Sequence, residues 1–250
     1  MADRKMSVFD HLEELRRRII VALLSLGAAM CVCYVFSWQI LDLLKNPAEK
    51  ASIPLELHYL TVLDPFMVRF RIAAYAGLIM ALPVVIYEIL AFVAPALRKK
   101  EKRVMYLSLA FILFFFMVGV AFCYFYILPA GLSWLVGQAG GHLQPMLTAQ
   151  EYVGLVTILL VALGITFETP LVVWLVVRLG IVTPQRLHKN WRWAVIFTLA
   201  FAAFITPDWN PITMLLVSVP MFLLYEGSII FASVGLRRRR NRLQALEGEE

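Results

Sequence analysis

Residues 7–20 read SVFDHLEELRRRII, so that two carboxylates, Glu13 and Glu14, stand before three arginines that run into uncharged apolar sequence. This pattern supports two kinds of chemistry. Within a helix, Glu13–Arg17 and Glu14–Arg18 are i,i+4 pairs in the favourable order, worth about 0.2–0.5 kcal/mol each. Toward a ligand, a carboxylate accepts a guanidinium through two parallel hydrogen bonds, so a partner carrying paired arginines fits. A second acid, Glu101, stands inside LRKKEKRV among five cations between Arg98 and Arg103. Cations in such a loop orient a membrane protein, whereas an acid adds little, which leaves Glu101 without a topological use. The cations around Glu14 and Glu101 would also repel a merely basic peptide. A third acid, Glu168, lies in GITFETP two residues before Pro170. Proline frees the carbonyl of Thr166, so a neutral Glu168 could be hydrogen-bonded at a kink. It could instead face a hydrated concavity open to partner helices or a bound peptide. Glu88, five residues after Pro83, is a weaker candidate of the same kind.

The elements that must position these acids are membrane spans. Hydrophobic residues make up 61% of the 250 and charged residues 16%, against roughly 45–50% apolar usage in soluble domains. Ile19–Leu41 is 23 residues without a charge, more than the ~20 needed to cross the hydrocarbon as a helix. The apolar runs predict six transmembrane helices: Ile19–Leu41, Ile72–Leu97, Val104–Leu128, Tyr152–Val177, Trp193–Ile205 and Ile212 to about Leu236. Ahead of them, Val8, Leu12, Leu15 and Ile19 fall on one stripe of a helix, with Ser7 able to cap its start and Glu14 expected on the open polar face. The fifth span has only 13 residues, and the sixth has 14 before Glu226 interrupts it. At 1.5 Å per residue each reaches about 20 Å, short of a ~30 Å core. Nineteen of the 23 lysines and arginines fall on one side: five before the first span, five between the second and third, four between the fourth and fifth, five after the sixth. The positive-inside rule then places both termini in the cytoplasm. The expected fold is all-α, a single transmembrane domain over 1–250 of a plasma or inner membrane. Residues 1–18 form an amphipathic helix, 19–236 the bundle, and 237–250 a basic-then-acidic tail.

Other function classes lose ground on composition. Cys31, Cys33 and Cys123 all lie in apolar runs without metal-ligand spacing, as small buried hydrophobes do. His11, His58, His142 and His188 all fall outside the predicted spans, which leaves no intramembrane base or metal ligand. There is no phosphate-binding GxxxxGK[ST] loop, and no cofactor or metal is expected. A small-molecule transporter usually shows an internal repeat and a midplane cluster of ionisable groups, but no repeat is visible. The RRRRNR run directly follows an apolar span, so contact with anionic lipid is the expected role and no nucleic-acid partner is inferred.

HLEELRRR, AFVAPALRKKEKR, GITFETP and ITPD resemble, in order and in place, the signatures of the TatC family, the multispanning receptor subunits of the twin-arginine protein translocase. The resemblance runs from the N-terminal helix to the sixth span. It implies a receptor and scaffold, not an enzyme, that binds Arg-Arg signal peptides of folded precursors. With single-span TatA- and TatB-type partners, and self-association in the complex, such a receptor supports export driven by the proton-motive force. The resemblance assigns Glu14, Arg16 and Glu101 to signal-peptide binding, with Glu13 an additional acid able to share the role of Glu14. Phe92, Pro95 and Leu97 match the end of the second span beside that site. Pro47 matches a proline of the first external loop, Glu168 an intramembrane functional glutamate, and Thr206 and Asp208 the turn between spans five and six that meets partners. The chain departs from the family pattern in having one proline before Asp208, and Pro211-Ile212 where a Ser-Gln pair is usual.

Overall fold

Apolar sequence on every side of a helix cannot be covered by the chain itself, and the helices here leave large side chains outward. Leu24 is 68% exposed, Phe197 70% and Phe231 68%, as lipid-facing surfaces require. The computed structural model describes residues 8–51, 53, 56–93, 99–138, 146–178, 182–205 and 211–247. Four helical segments are long and apolar enough to cross a membrane: His11–Val35, Asp64–Phe92, Leu109–Gly137 and Ala149–Val177. Two shorter apolar helical stretches follow, Trp191–Phe204 and Val217–Ser233.

The chain divides into two compact units, the first comprising Met1–Phe114 and Ala139–Thr157, the second Phe115–Gln138 and Ile158–Glu250. In the first unit, α1 (Val8–Val35) packs along α3 (Asp64–Val93). Gly77 permits the approach: a Cβ there would stand 2.9 Å from the Met30 backbone nitrogen and Cα. The predicted first span does not run to Leu41. Helix α1 ends at Val35, Phe36 is a single-residue turn, and α2 (Ser37–Lys50) follows. Ser37 is buried and its Oγ accepts a hydrogen bond from Arg69 Nε at 2.9 Å, while the Arg69 guanidinium lies over the Tyr34 ring at 4.3 Å. The second span begins earlier than expected, at Asp64. Its carboxylate accepts from the backbone N–H groups of Leu60 and Thr61 and from the Thr61 hydroxyl, at 2.7–2.9 Å, which ties down the turn leading into the helix.

The helical expectation holds with one addition. Strands β1 (Leu57–His58) and β2 (Leu147–Thr148) pair in parallel, with Leu57 opposite Leu147 and His58 opposite Thr148. Beside this ladder, the Tyr152 hydroxyl at the start of α6 (Ala149–Thr166) donates to the Leu44 carbonyl of α2 at 2.7 Å.

The third predicted span also runs on. Helix α4 (Lys99–Phe122) passes through a π-helical turn, Cys123–Ile127, into α5 (Leu128–Gly137), nine residues beyond the expected end at Leu128. In the second unit, α7 (Thr169–Arg178), α8 (Pro184–Lys189) and α9 (Trp191–Ile205) all pack on α10 (Pro211–Glu247). Val173, Val177, Ile229 and Ala232 form a buried cluster there, with Leu187 and Tyr225 against it. Glu226 does not interrupt α10, which runs 37 residues as one helix. His188 Nδ1 lies 3.0 Å from Glu226 Oε2, which gives the carboxylate a partner without breaking the helix. The expected shortness therefore holds for α9, with 15 residues, and survives in α10 only as a short apolar stretch.

Candidate functional site

On α1, His11, Glu14 and Arg18 follow one another at +3 and +4, one helix face; on α3, Glu88 and Phe92 are four apart. These two faces meet. The His11 ring stacks on the Phe92 ring with centroids 4.3 Å apart and planes 14° from parallel. One turn deeper, Arg18 joins two carboxylates. Its Nε donates to Glu14 Oε1 at 3.1 Å and its Nη2 to the same oxygen, while its Nη1 donates to Glu88 Oε2 at 3.0 Å. Glu14 Oε2 is shielded from solvent and accepts no hydrogen bond from the described residues. His11 Nδ1 stands 3.9 Å from it. Glu14 thus carries one oxygen engaged within the helix and one unengaged, and a buried unpaired acceptor favours an added donor.

This geometry corrects two expectations. Glu14 does not project from the open face, because its side chain is 20% exposed and turned to Arg18 and α3. Of the two predicted intrahelical pairs, Glu14–Arg18 forms, whereas no ion pair joins Glu13 to Arg17 among the described residues. Glu13 and Arg16 are exposed on α1. Glu101 falls in the first turn of α4, but its side chain lies outside the described set, as do Pro95, Leu97, Thr206 and Asp208. Pro47 is fully buried inside α2. His11 and Arg18 were not singled out as site residues by sequence. Their signal was the shared face with Glu14, which their spacing alone displays. The Glu88 contact, 70 residues away along the chain, had no such signal.

Glu168 belongs to the second unit. The chain does more than kink there: α6 ends at Thr166, Phe167 and Glu168 form a turn, and α7 begins at Thr169. The Glu168 carbonyl starts the new helix by accepting from the N–H groups of Leu171 and Val172 at 3.0 Å. Its side chain is half-buried, and Oε1 is shielded with no hydrogen-bond partner among the described residues. Close packing holds this break in place. A Cβ on Gly119 would meet the Leu163 carbonyl at 2.7 Å and Phe167 at 2.8 Å, and one on Gly164 would meet the Phe116 ring at 2.6 Å. Thr169, next to Glu168, lines an open cleft of about 300 Å³ with Trp193, Phe197, Met221 and Tyr225. Among the described residues no group of His, Cys, Asp and Glu side chains has the arrangement of a metal site.

Long apolar helices with large side chains turned outward, carrying half-buried carboxylates, define a multi-pass membrane protein. The chain belongs to the TatC family, whose model, Sec-independent protein translocase protein (TatC), matches residues 10–220. It is 37% identical over 234 residues to the Sec-independent protein translocase protein TatC of Deinococcus radiodurans, covering 91% of this chain and 86% of that one. It is 32% identical over 225 residues to the chloroplastic protein TATC of Arabidopsis thaliana, covering 90% of this chain and 66% of that longer one. A crystal structure of a twin arginine translocase receptor, TatC, aligns with a TM-score of 0.81 at 31% identity, covering 90% of this chain and 98% of that chain. The chain is accordingly a component of a protein-transport family embedded in a membrane by several helices.

Proposed function

We propose that this chain is the receptor subunit of a twin-arginine protein translocase, and that it binds the Arg-Arg signal peptides of folded precursors where α1 begins and α3 ends. The observation that carries this reading is the Glu14 carboxylate, whose Oε2 is buried without a hydrogen bond beside the His11–Phe92 stack. An unpaired acceptor next to an aromatic surface suits a guanidinium, which donates in plane and stacks through its faces. Glu101 supplies the second carboxylate, Glu13 and Arg16 flank the entry, and Phe92, Pro95 and Leu97 line the path of the peptide.

In this reading six spans, the last two short in apolar length, make one membrane domain. Both termini face the cytoplasm, because 19 of 23 cations follow that side. TatA- and TatB-type single-span partners and further copies of the chain assemble around it, with Thr206 and Asp208 at a partner contact and Pro47 fixing the first external loop. Glu168 serves inside the membrane, and export draws on the proton-motive force. The subunit binds and scaffolds without catalysing a reaction.

Site-specific crosslinking in membranes tests the central claim. A photoreactive group beside the Arg-Arg pair of a signal peptide should capture residues near Glu14 and Glu101. Capture only at the opposite ends of α1 and α3 would overturn it.

A further inference from the structure

Arg18 already does to Glu14 what an incoming arginine would do. Two of its nitrogens hold Glu14 Oε1, and the third, Nη1, holds Glu88 Oε2 at 3.0 Å. A forked, two-oxygen contact needs both oxygens of a carboxylate, and with Arg18 in place Glu14 offers only Oε2. A lysine ammonium is a point donor that can use that single oxygen, whereas an arginine gains its second hydrogen bond only if Arg18 yields Oε1. Yielding is cheap because Arg18 is bound at its other end. After release it remains paired with Glu88, 16% exposed, and is not left as an uncompensated half-buried charge.

We infer that Arg18 is a resident occupant of the arginine site, exchanged for a signal-peptide arginine at Glu14 and parked on Glu88, so that only a guanidinium is strong enough to take its place. Arg18 and Glu88 then set the cost of arginine entry, Arg18 raising it and Glu88 lowering it by making exchange possible. The inference rests on the signal-peptide reading above. It assigns to Glu88 a role that the family's N-terminal and loop motifs do not contain.

The test uses the full chain in detergent and two synthetic signal peptides that differ only in Arg-Arg against Lys-Lys, with affinities read by fluorescence anisotropy. For Arg18→Gln, Arg-Arg affinity should rise at least about tenfold while Lys-Lys affinity changes little, since the incoming fork then finds both Glu14 oxygens free and an ammonium still needs only Oε2. For Glu88→Gln, which keeps Arg18 on Glu14, Arg-Arg affinity should fall roughly tenfold more than Lys-Lys affinity, because a released Arg18 finds no anion. If Arg18→Gln does not fold, as judged by gel filtration, the Glu88→Gln ratio decides alone. Equal losses for both peptides would mark Arg18 and Glu88 as merely structural and overturn the inference. Failure of the wild-type chain to prefer Arg-Arg, or of Glu101→Lys to abolish that binding, would instead overturn the receptor reading itself.

Discussion

His11 and Phe92 stand face to face, 4.3 Å apart, where the first turns of α1 meet the end of α3. The contact closes the Glu14 pocket on one side, since His11 Nδ1 is also 3.9 Å from Glu14 Oε2. An aromatic stack adds ~0.5–1.5 kcal/mol beyond the area it buries, or about two- to tenfold in affinity if Glu14 depends on it. Phe92→Ala should weaken signal-peptide binding by that factor, and Phe92→Tyr should retain wild-type binding. Peptide titration of the two variants checks this.

Charge reversal at the two acids should separate recognition from stability. On the proposed reading, Glu101→Lys puts a cation where a guanidinium would dock and should lower peptide affinity by ~2–5 kcal/mol, which is effectively a loss of binding. Glu14→Lys should act likewise, softened by the neighbouring Glu13, but should also lower thermal stability because Arg18 loses one of its two anions. Glu101→Lys with undiminished affinity would remove Glu101 from the site.

At Glu168 the shielded Oε1 lacks a partner, while the backbone of the same residue starts α7. Glutamine keeps the shape and hydrogen-bonding atoms without an ionisable proton, so Glu168→Gln should retain most export activity and Glu168→Ala should lose most of it. Equal loss in both variants, with the protein still folded, would make proton transfer the better account of this residue.

Gly119 has no room for a side chain: the obstructing atoms are the Leu163 carbonyl, which is backbone, and the Phe167 ring. Gly119→Ala should destabilise the protein by ~1–3 kcal/mol, the usual cost of overpacking, and should disturb the turn that carries Glu168. A lowered melting temperature together with weakened export is expected. Gly137, with nothing within 4 Å of its Cβ position, provides the control, since Gly137→Ala should change neither.

The sequence made the helices visible and hid where they turn. Uninterrupted apolar runs announce membrane helices, but the break at Phe36 lies between Val35 and Ser37 in a stretch that is apolar on both sides, so hydropathy could not locate it. The early start at Asp64 was available in principle, as an acid in the first turn of a helix. It was missed because Arg69 and Arg71 delayed the apolar run. The π-helical turn at Cys123–Ile127 has no composition of its own, and two-residue strands are too short to show alternation. At the site, Glu14–Arg18 was legible because it is local. Glu88 read as a lone membrane acid because its partner is set by how α1 and α3 cross, which no spacing in one helix encodes. The same limit hid the obstruction at Gly119, where Leu163 comes from α6 and Phe167 from the turn after it.

The pairing of Leu57 with Leu147 and His58 with Thr148 joins positions 90 residues apart. The loop before α3 therefore has no strand partner until the ribosome has made three long helical stretches and the chain up to Thr148. Tyr152, whose hydroxyl secures Leu44, arrives later still. The first unit cannot close on its own N-terminal segment, and its early helices must wait in the bilayer for residues synthesised after α5. A chain stopped before residue 147 should thus insert yet leave α2 and the β1 segment open to protease, and one extended past residue 157 should protect both.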